Sequence, residues 1–522
     1  MRDVDSASRP SQHPMLRSIS SNWSLNALQI AVFMVLTPFI ANAVGNETYG
    51  IWEIIVSTAG PLQLLSLGLP MATVRALSAA IARKDGPGAT KALGTSLSLT
   101  IVLGAVAAVL GIIAYQAFTG PLMEGEGWSD IAEPERRMAA IALIVMLANV
   151  AFGFALKLPY AIFDAHHDFV ARNLIMGGGL LAKLGATIAL LSWRADLMTL
   201  AWVQIGIAAL EFFIAMTVSR TRHPLVHFKP QRIEWEEARS LLSFSVFAFL
   251  LNMGALLAFR IDALVLGFNM PPDDVAIYGY GNKIFDPFIN ILLAIGMVLM
   301  PLAASAVSRG DLTDIRAQFQ KWSKIAATIV MLIGGYLIVL GPNFLEAWLD
   351  DAYSPVSGRV LQVLMVSFFF FLPIRGVALP VLMGLGHAKV PGFGLLGMGV
   401  ANLCLSLALV GPYGIMGVAI GTAIPNVVFS AVFLWEACRR LELGLGDWFR
   451  YTFGRLLPAT VVASSALALA AHQIPLHGYL RVVSAGVLYT ALFGVMALLF
   501  VFRGDRFLDT SVLIARIRGK LR

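Results

Sequence analysis

Apolar runs long enough to cross a membrane recur along this chain from one end to the other. A helix of about 20 apolar residues spans the hydrocarbon core of a bilayer, and its backbone hydrogen bonds are satisfied within the segment. The runs are continuous and do not alternate with a period of two, which argues against a transmembrane β-barrel. The hydropathy predicts fourteen spans: 23–44, 52–80, 92–118, 138–163, 173–192, 197–218, 240–268, 275–306, 325–348, 357–384, 392–411, 413–436, 455–473 and 479–502.

The composition indicates lipid as the solvent of this chain. Hydrophobic residues make up 58% of the 522 residues and charged residues only 13%, whereas soluble domains carry about 25% charged residues. The two cysteines, Cys404 and Cys438, fall in or beside predicted spans and are too few for a disulfide framework. The predicted fold class is therefore an all-α polytopic membrane protein.

The basic residues indicate the orientation of the spans. With the N-terminus in the cytoplasm, the tails and inner loops hold 27 of the 38 Lys and Arg residues, and the opposite loops hold five. This asymmetry is the positive-inside signal, and it predicts that both termini are cytoplasmic. The signal also accounts for most of the net charge of +7. Because the basic C-terminal tail can lie along an anionic leaflet, we expect no nucleic-acid partner.

Two pairs of similar segments indicate an internal repeat. "VGNETYGIW" (44–52) matches "LGFNMPPDDVAIYGYGN" (266–282), and "PYAIFDAHHDF" (159–169) matches "PVLMGLGHAKV" (380–390). The offsets are 222 and 221 residues, which favours two six-span lobes related as parallel repeats. The predicted regions are a cytoplasmic N-terminal tail (1–22), an N-lobe (23–218), a cytoplasmic linker (219–239), a C-lobe (240–436), a second cytoplasmic linker (437–454), spans 13 and 14 (455–502) and a basic cytoplasmic tail (503–522).

Charged side chains inside spans 7 and 8 form the first candidate site. "LLAFRIDALVLG" (256–267) places Arg260 and Asp262 in the outer half of span 7, and Lys283 and Asp286 lie at a similar depth in span 8. Residues two apart point to different sides of a helix, so each charge in span 7 needs a partner on a neighbouring span. We interpret the four residues as one charge-balanced set. They either brace the two helices or reach the outer surface, or they contact cargo and a coupling ion.

The inner half of the spans holds more cations than acids. Arg75 in span 2, Lys157 in span 4, Lys183 in span 5 and Arg375 in span 10 share that depth with a single acid, Glu211 in span 6. Facing lipid, the cations would cost on the order of 10 kcal/mol together. We therefore predict a hydrated, electropositive cavity that opens to the inner side and accepts an anion such as a phosphate. The alternative, above all for Arg75, is that the side chain reaches the inner surface.

Motifs of soluble enzymes are absent from the sequence or lie in the wrong context. No G-x-x-x-x-G-K-[ST] loop occurs, and "GFGLLG" (392–397) opens span 11 without a preceding strand, so its glycines are interpreted as packing residues. His166 and His167 lie beside Asp164 and Asp168 in a short inner loop, where a solvated turn is favoured over a metal site. The sequence therefore predicts no cofactor, no metal and no catalytic site.

Three stretches resemble a known family. "VGNETYGIW" (44–52), "LLSLGLPMATVRALSAAIARKDG" (64–86) and "RIDALVLGF…YGYGNKI" (260–284) are similar to bacterial polysaccharide flippases of the Wzx type, within the multidrug/oligosaccharidyl-lipid/polysaccharide exporter superfamily. Arg75, which follows "LGL", and the Arg260-x-Asp262 motif stand where that family has charged residues. The segment "NMPPDD" departs from the short turn that follows span 7 in the family.

The resemblance implies two lobes around a cationic cavity that opens alternately to each side of the bacterial inner membrane. The implied cargo is an O-antigen or exopolysaccharide repeat unit linked to undecaprenyl pyrophosphate, and the implied protein partners are a polysaccharide polymerase and chain-length proteins. The predicted cargo ligands are Arg75, Lys157, Lys183, Arg260, Lys283 and Arg375. A coupling proton or sodium ion would be carried or balanced by Glu211, Asp262 or Asp286.

Other functions are compatible with parts of this pattern. An organic-cation antiporter of the same superfamily would need an acidic cavity, which the excess of inner cations opposes. A lipid II flippase shares the pyrophosphate chemistry and is distinguished by its essentiality for the cell. A polymerase or acyltransferase would need a larger outer loop, and a scaffold has little reason to keep unpaired charges in the membrane.

Overall fold

A computed structural model describes residues 12–66, 68–224, 226–231, 245–473 and 478–508. Across these residues the regular elements are all helical, and no strand occurs. Parts of the predicted regions lie outside the described residues: 1–11 of the N-terminal tail, 67 in span 2, 225 and 232–239 of the first linker, 240–244 at the start of span 7, 474–477 between spans 13 and 14, and 509–522 of the basic tail.

The described residues form seventeen α-helices. They are α1 (Gln12–Ala59), α2 (Leu69–Ala82), α3 (Gly86–Ala117), α4 (Glu133–Leu156), α5 (Tyr160–Ala165), α6 (Phe169–Trp193), α7 (Leu197–Arg222), α8 (Ser245–Phe259), α9 (Asp262–Asn269), α10 (Pro272–Lys283), α11 (Phe285–Arg309), α12 (Thr313–Leu349), α13 (Pro355–Gly384), α14 (Lys389–Arg440), α15 (Leu445–Phe453), α16 (Leu456–Gln473) and α17 (Tyr479–Met496).

The helices account for the predicted spans. Within the described residues, 11 helical stretches are long and apolar enough to cross a membrane, or 12 if the bent pair α8–α9 is one span. Two of them, Ser20–Ala82 and Lys389–Arg440, contain 63 and 52 residues, which is enough for two crossings each at about 20 residues per crossing. Counted in that way, the crossings number the fourteen that hydropathy predicts. The all-α polytopic membrane fold is confirmed.

A glycine interrupts each of the two longest stretches. Gly45 has φ 79° in α1, and Gly414 has φ 55° in α14. A side chain with a Cβ atom rarely adopts this left-handed region, whereas glycine adopts it at little cost. These two positions therefore turn one continuous apolar stretch into two successive crossings.

Aspartates cap the helices that follow several of the short loops. The backbone amide of Gly88 donates to Asp85 Oδ1 at 2.8 Å ahead of α3, and the amide of Thr199 donates to Asp196 Oδ1 at 2.8 Å ahead of α7. The first amides of a helix lack partners within the helix, and a side-chain oxygen at the cap satisfies one of them. The caps explain how these helices begin directly after three-residue connections.

The chain forms two compact units. The first comprises the described residues within 1–44, 62–118 and 133–246. In its core, Leu77 of α2, Leu93 of α3 and Ile162 of α5 are almost fully buried. In lipid, such contacts stabilise by close packing more than by exclusion of water.

The second unit comprises 45–61, 119–132 and the described residues of 247–522. Its centre is α13, which packs against α11, α12 and α14, and the buried rings of Phe285, Phe368 and Phe371 contact one another there. The second unit therefore includes two segments that the repeat analysis gives to the N-lobe. The lobe boundaries derived from the repeat stay a prediction.

Candidate functional site

Asp262 is the most deeply buried charge of the predicted site. It begins α9, where the axis bends by 46° from α8, and the residue is only 1% exposed. Its carboxylate accepts hydrogen bonds from Asn402 Nδ2 at 3.0 Å, from Thr422 Oγ1 at 2.9 Å and from the Tyr278 hydroxyl. Within the described residues, no cationic side chain forms an ion pair with Asp262. Among the described residues, the negative charge of Asp262 is thus stabilised by neutral hydrogen-bond donors alone.

One hydroxyl in the cluster around Asp262 is shared between two acceptor oxygens. The Thr422 hydroxyl lies 2.9 Å from Asp262 Oδ2 and 3.1 Å from Asn402 Oδ1, but it has one hydrogen to donate. Asn402 Oδ1 also accepts a hydrogen bond from Ser406 Oγ at 2.9 Å. Carboxylate, amide and hydroxyl oxygens are the ligands that hard cations prefer. The cluster can therefore hold a small cation or take up a proton.

Arg260, Asp286 and Arg375 form a second group in the same unit. Arg260 Nη2 lies 3.0 Å from Asp286 Oδ2, and both side chains are partly exposed. The guanidinium of Arg375 lies over the Phe259 ring, 4.4 Å from its centroid, and 5.8 Å from the centroid of Phe371. Its Nη1 is buried and has no hydrogen-bond partner among the described residues. The charge of Asp286 acts on Arg375, although Asp286 forms its ion pair with Arg260.

Arg375 is linked electrostatically to a residue of the other predicted set. Sequence depth assigns Arg375 to the inner half with Lys157, Lys183 and Glu211, and in the structure the charge of Asp286, a member of the outer-half set, acts on it. The depth of a residue follows from about 1.5 Å per residue, measured from span ends that hydropathy defines only loosely. Because an arginine side chain is also long, such a count cannot separate groups that lie one or two helical turns apart.

Lys283 has a different partner from the one expected. The balanced set required an acid of span 7 for Lys283, but the structure pairs its ammonium group with Glu53, and Lys283 Nζ also donates to the Tyr49 hydroxyl at 2.8 Å. The expected pairing of Lys283 with Asp262 is wrong, because neutral donors already satisfy Asp262. The pairing of Arg260 with Asp286 is confirmed.

The similar segments 44–52 and 266–282 are in contact. The Tyr49 and Tyr280 rings lie 5.0 Å apart, and the Tyr280 hydroxyl donates to Asn46 Oδ1 at 2.9 Å. A Cβ atom on Gly50 would overlap the backbone carbonyl of Pro272, so glycine is required for this approach. We call this contact the repeat seam, formed by Asn46, Tyr49, Gly50, Glu53, Pro272, Tyr280 and Lys283.

The first unit contains a separate polar cavity of about 300 Å³. Asn149, Lys157, Tyr160 and Glu211 are among its lining residues. The Tyr160 hydroxyl donates to Glu211 Oε2 at 3.0 Å, and the charges of Lys157 and Lys183 act on Glu211. Asn149 Oδ1 is buried without a hydrogen-bond partner among the described residues. The cavity therefore has donors and acceptors suited to a polar, hydroxyl-rich guest.

Several site residues were not identified from the sequence. Arg75 was identified from the sequence, and it lies exposed on α2. Glu53 was missed although it stands one residue beyond the quoted "VGNETYGIW", and an inventory of intramembrane acids at the outer ends of spans would have found it. Asn402 and Thr422 carry no charge, and nothing in their local sequence distinguishes them from other polar residues in the spans.

Comparison with known proteins supplies a family context for this geometry. Residues 15–307 match the model of a family described as polysaccharide biosynthesis protein. The chain is 21% identical over 434 residues to an uncharacterised membrane protein, EpsK, of Bacillus subtilis, a match that covers 80% of this chain and 82% of that protein. It is also 21% identical over 425 residues to a putative O-antigen transporter of Shigella flexneri, covering 80% of this chain and 96% of that protein.

The fold is shared with solved structures of membrane transport proteins. A lipid II flippase, MurJ, in an inward closed conformation superposes with a TM-score of 0.67 over 94% of this chain and 99% of that chain. The sequence identity is 13%, so the likeness concerns the fold.

Proposed function

The chain belongs to the polysaccharide biosynthesis protein family, and from this premise we propose that it flips a glycan linked to undecaprenyl pyrophosphate across the bacterial inner membrane. A relative named as an O-antigen transporter and a fold shared with a flippase support transport over enzymatic chemistry. The cargo moves from the inner to the outer leaflet. Its lipid tail stays in the bilayer while the pyrophosphate and the sugars cross between polar side chains.

The observation that carries this proposal is the environment of Arg375. A buried guanidinium with an unsatisfied Nη1, stacked on Phe259 and flanked by Phe371, is an expensive feature inside a membrane. The planar fork of arginine is suited to two oxygens of a phosphate group. Because Asp286 is occupied by Arg260, an anionic cargo can complete the hydrogen bonds of Arg375 without first displacing an ion pair.

The polar cavity of the first unit supports a role for the sugars. Asn149, Tyr160 and Glu211 offer acceptors and a hydroxyl, and Lys157 offers an ammonium group, around a space of about 300 Å³. Sugar hydroxyl groups donate and accept hydrogen bonds, and they match such a lining better than a hydrophobic drug does. We assign Lys157 and Lys183 to cargo attraction and Glu211 to charge balance.

The Asp262 cluster supports coupling to an ion gradient. No nucleotide-binding loop is present in the sequence, and a buried, uncompensated carboxylate costs several kcal/mol unless something offsets it. A sodium ion or a proton bound beside Asn402 and Thr422 would provide that offset. Binding in one conformation and release in the other would then drive the cycle.

The proposal is tested in a strain that lacks the gene. We expect lipid-linked repeat units to accumulate on the cytoplasmic side, and wild-type protein to relieve the accumulation.

Arg375→Ala is expected to lower the transport rate by about tenfold or more, because it removes hydrogen bonds to a charged group. Arg375→Lys retains the charge without the fork and is expected to be intermediate, and Lys183→Ala is expected to reduce transport less. Arg359→Ala, at the opposite end of α13, is the matched control.

Three outcomes would contradict the proposal, the first two its function and the third its cargo site. Normal surface polysaccharide without accumulation, in a strain that has no redundant flippase, would favour an organic-cation antiporter. Accumulation of lipid II with loss of viability would favour a lipid II flippase. Wild-type transport by Arg375→Ala would leave flipping intact but would remove Arg375 from the cargo site.

A further inference from the structure

The second unit contains a polar groove of about 680 Å³ whose lining includes none of the residues around Asp262, Arg375 or Lys283. It lies between the N-terminal third of α12, the short helix α15, the start of α16 and residues 504–506 after α17. Its charged lining residues are Lys324, Asp447, Arg450, Arg455, Asp505 and Arg506. The lining therefore carries four positive and two negative side chains.

The ion pair between Lys324 and Asp505 forms the floor of the groove, and both side chains make further hydrogen bonds. Lys324 Nζ lies 2.5 Å from Asp505 Oδ2 and donates to the Val501 carbonyl at 3.0 Å. The Tyr451 hydroxyl donates to Asp505 Oδ1 at 2.8 Å. Burial alone would raise the pKa of Asp505, but hydrogen bonds from Lys324 and the Phe507 amide outweigh it and hold that pKa below its ordinary value. Asp505 is thus ionised and fully engaged, and it does not neutralise the arginines above it.

The arginines at the rim are not all engaged by acids. Arg450 Nη2 lies 2.7 Å from Asp447 Oδ1. Arg455 Nη1 donates to the Arg503 carbonyl at 2.7 Å, which fixes the guanidinium in place without neutralising it. Among the described residues, neither Arg455 nor Arg506 forms an ion pair with a carboxylate. Both guanidinium groups therefore lack an acidic partner within the part of the chain that the structure describes.

The surroundings of the groove indicate the source of that anion. Trp448 and Phe453 of α15 are buried, whereas Leu445 and Phe449 are 41% and 46% exposed. At the membrane–water interface, a short helix between two spans typically exposes apolar side chains. By the positive-inside rule, the linker 437–454 and the segment after span 14 are both cytoplasmic. Basic pockets at this level between spans accept the head groups of anionic lipids.

We propose that Arg455 and Arg506 bind the phosphate of an anionic phospholipid from the inner leaflet. The bound lipid would tie spans 13 and 14 to α15 and α12. This site is independent of the cargo, since it lies on the last two spans and involves none of the residues assigned to transport.

Native mass spectrometry of the purified full-length protein tests the proposal. Protein in detergent is mixed with phosphatidylglycerol, cardiolipin or phosphatidylcholine, and the retained lipids are counted. We expect retention of the two anionic lipids over phosphatidylcholine. Because an arginine near the surface strengthens binding about fivefold, the Arg455→Gln/Arg506→Gln protein is expected to retain at least tenfold less anionic lipid. The control is Arg359→Gln/Arg481→Gln, which removes two charges at the opposite ends of spans 10 and 14.

Further measurements separate the proposal from its alternatives. Equal retention by the wild-type and Arg455→Gln/Arg506→Gln proteins would overturn it. If inorganic phosphate raised the thermal stability as much as phosphatidylglycerol did, the groove would be a site for soluble anions and the lipid assignment would be wrong. Should the double glutamine variant fold poorly, the Arg455→Lys/Arg506→Lys protein keeps both charges, and it is expected to retain an intermediate amount of anionic lipid.

Discussion

Asp262→Asn protein is expected to fold, to lose ion-dependent transport and to lose any stabilisation by the coupling ion. The substitution keeps the size of the side chain and one carbonyl oxygen, so Tyr278 and Thr422 retain an acceptor. It removes a negative charge that is 1% exposed and has no cationic partner among the described residues. Without the charge, the cation loses its strongest ligand, and a factor of at least 100 in ion affinity is about 2.7 kcal/mol of stabilisation lost at saturating ion.

The measurement compares the thermal unfolding of wild-type and Asp262→Asn protein in sodium, in potassium and across pH. We expect an ion-dependent rise in Tm for wild type and a flat response for the variant. Asp286→Asn is the control, since Asp286 is 41% exposed and already paired with Arg260. An Asp262→Asn protein that transports at the wild-type rate and keeps the ion response would exclude Asp262 as the coupling residue.

Reversing the charge of either Lys283 or Glu53 is expected to open the repeat seam, and reversing both charges is expected to close it again. The side chains of Lys283 and Glu53 are 21% and 12% exposed, and breaking a buried pair by removing one partner costs about 3–5 kcal/mol. Lys283→Glu places two acids side by side, and Glu53→Lys places two cations there. A penalty of that size shifts a two-state equilibrium by about 100-fold or more. Each single variant is therefore expected to lose most of its transport.

Labelling from the outer side measures the opening directly. In protein with Cys404 and Cys438 replaced by serine, Asn46→Cys is exposed to a membrane-impermeant thiol reagent. We expect slow labelling in the parent, fast labelling in each single reversal, and slow labelling again in the Glu53→Lys/Lys283→Glu swap. Reversal of Arg260 serves as the control because it lies outside the seam. Failure of the swap to restore slow labelling would show that the ion pair does not hold the seam closed.

Local features of the sequence were sufficient to predict the fold and one ion pair, between Arg260 and Asp286. The spans follow from hydropathy, and Gly45 stands at a turn because a glycine between two apolar runs marks a place where the helix can end. Arg260 and Asp286 were matched by sign and depth on consecutive spans. All of these inferences use residues that are near one another along the chain or separated by one helical hairpin.

The remaining parts of the site depend on contacts between distant segments. Glu53 and Lys283 are 230 residues apart, and no local pattern indicates that these two side chains meet. The internal repeat identified Tyr49 and Tyr280 as members of similar segments, but similarity does not imply contact. Asp262 is a charge that needs partners, and matching by charge predicts Lys283 as its partner. In the structure, neutral amide and hydroxyl donors of α14 satisfy Asp262 instead.

The partners of Asp262 also constrain how the protein is made. Asn402 and Thr422 follow Asp262 by 140 and 160 residues. At a synthesis rate of roughly 5–20 residues per second, the ribosome needs about 7–30 s to deliver them. Until then span 7 carries Arg260 and Asp262 through the insertion machinery, each charge opposing release into lipid by about 2.5–3.5 kcal/mol. We therefore expect this span to be retained beside the translocon, and to enter the bilayer together with spans 11 and 12.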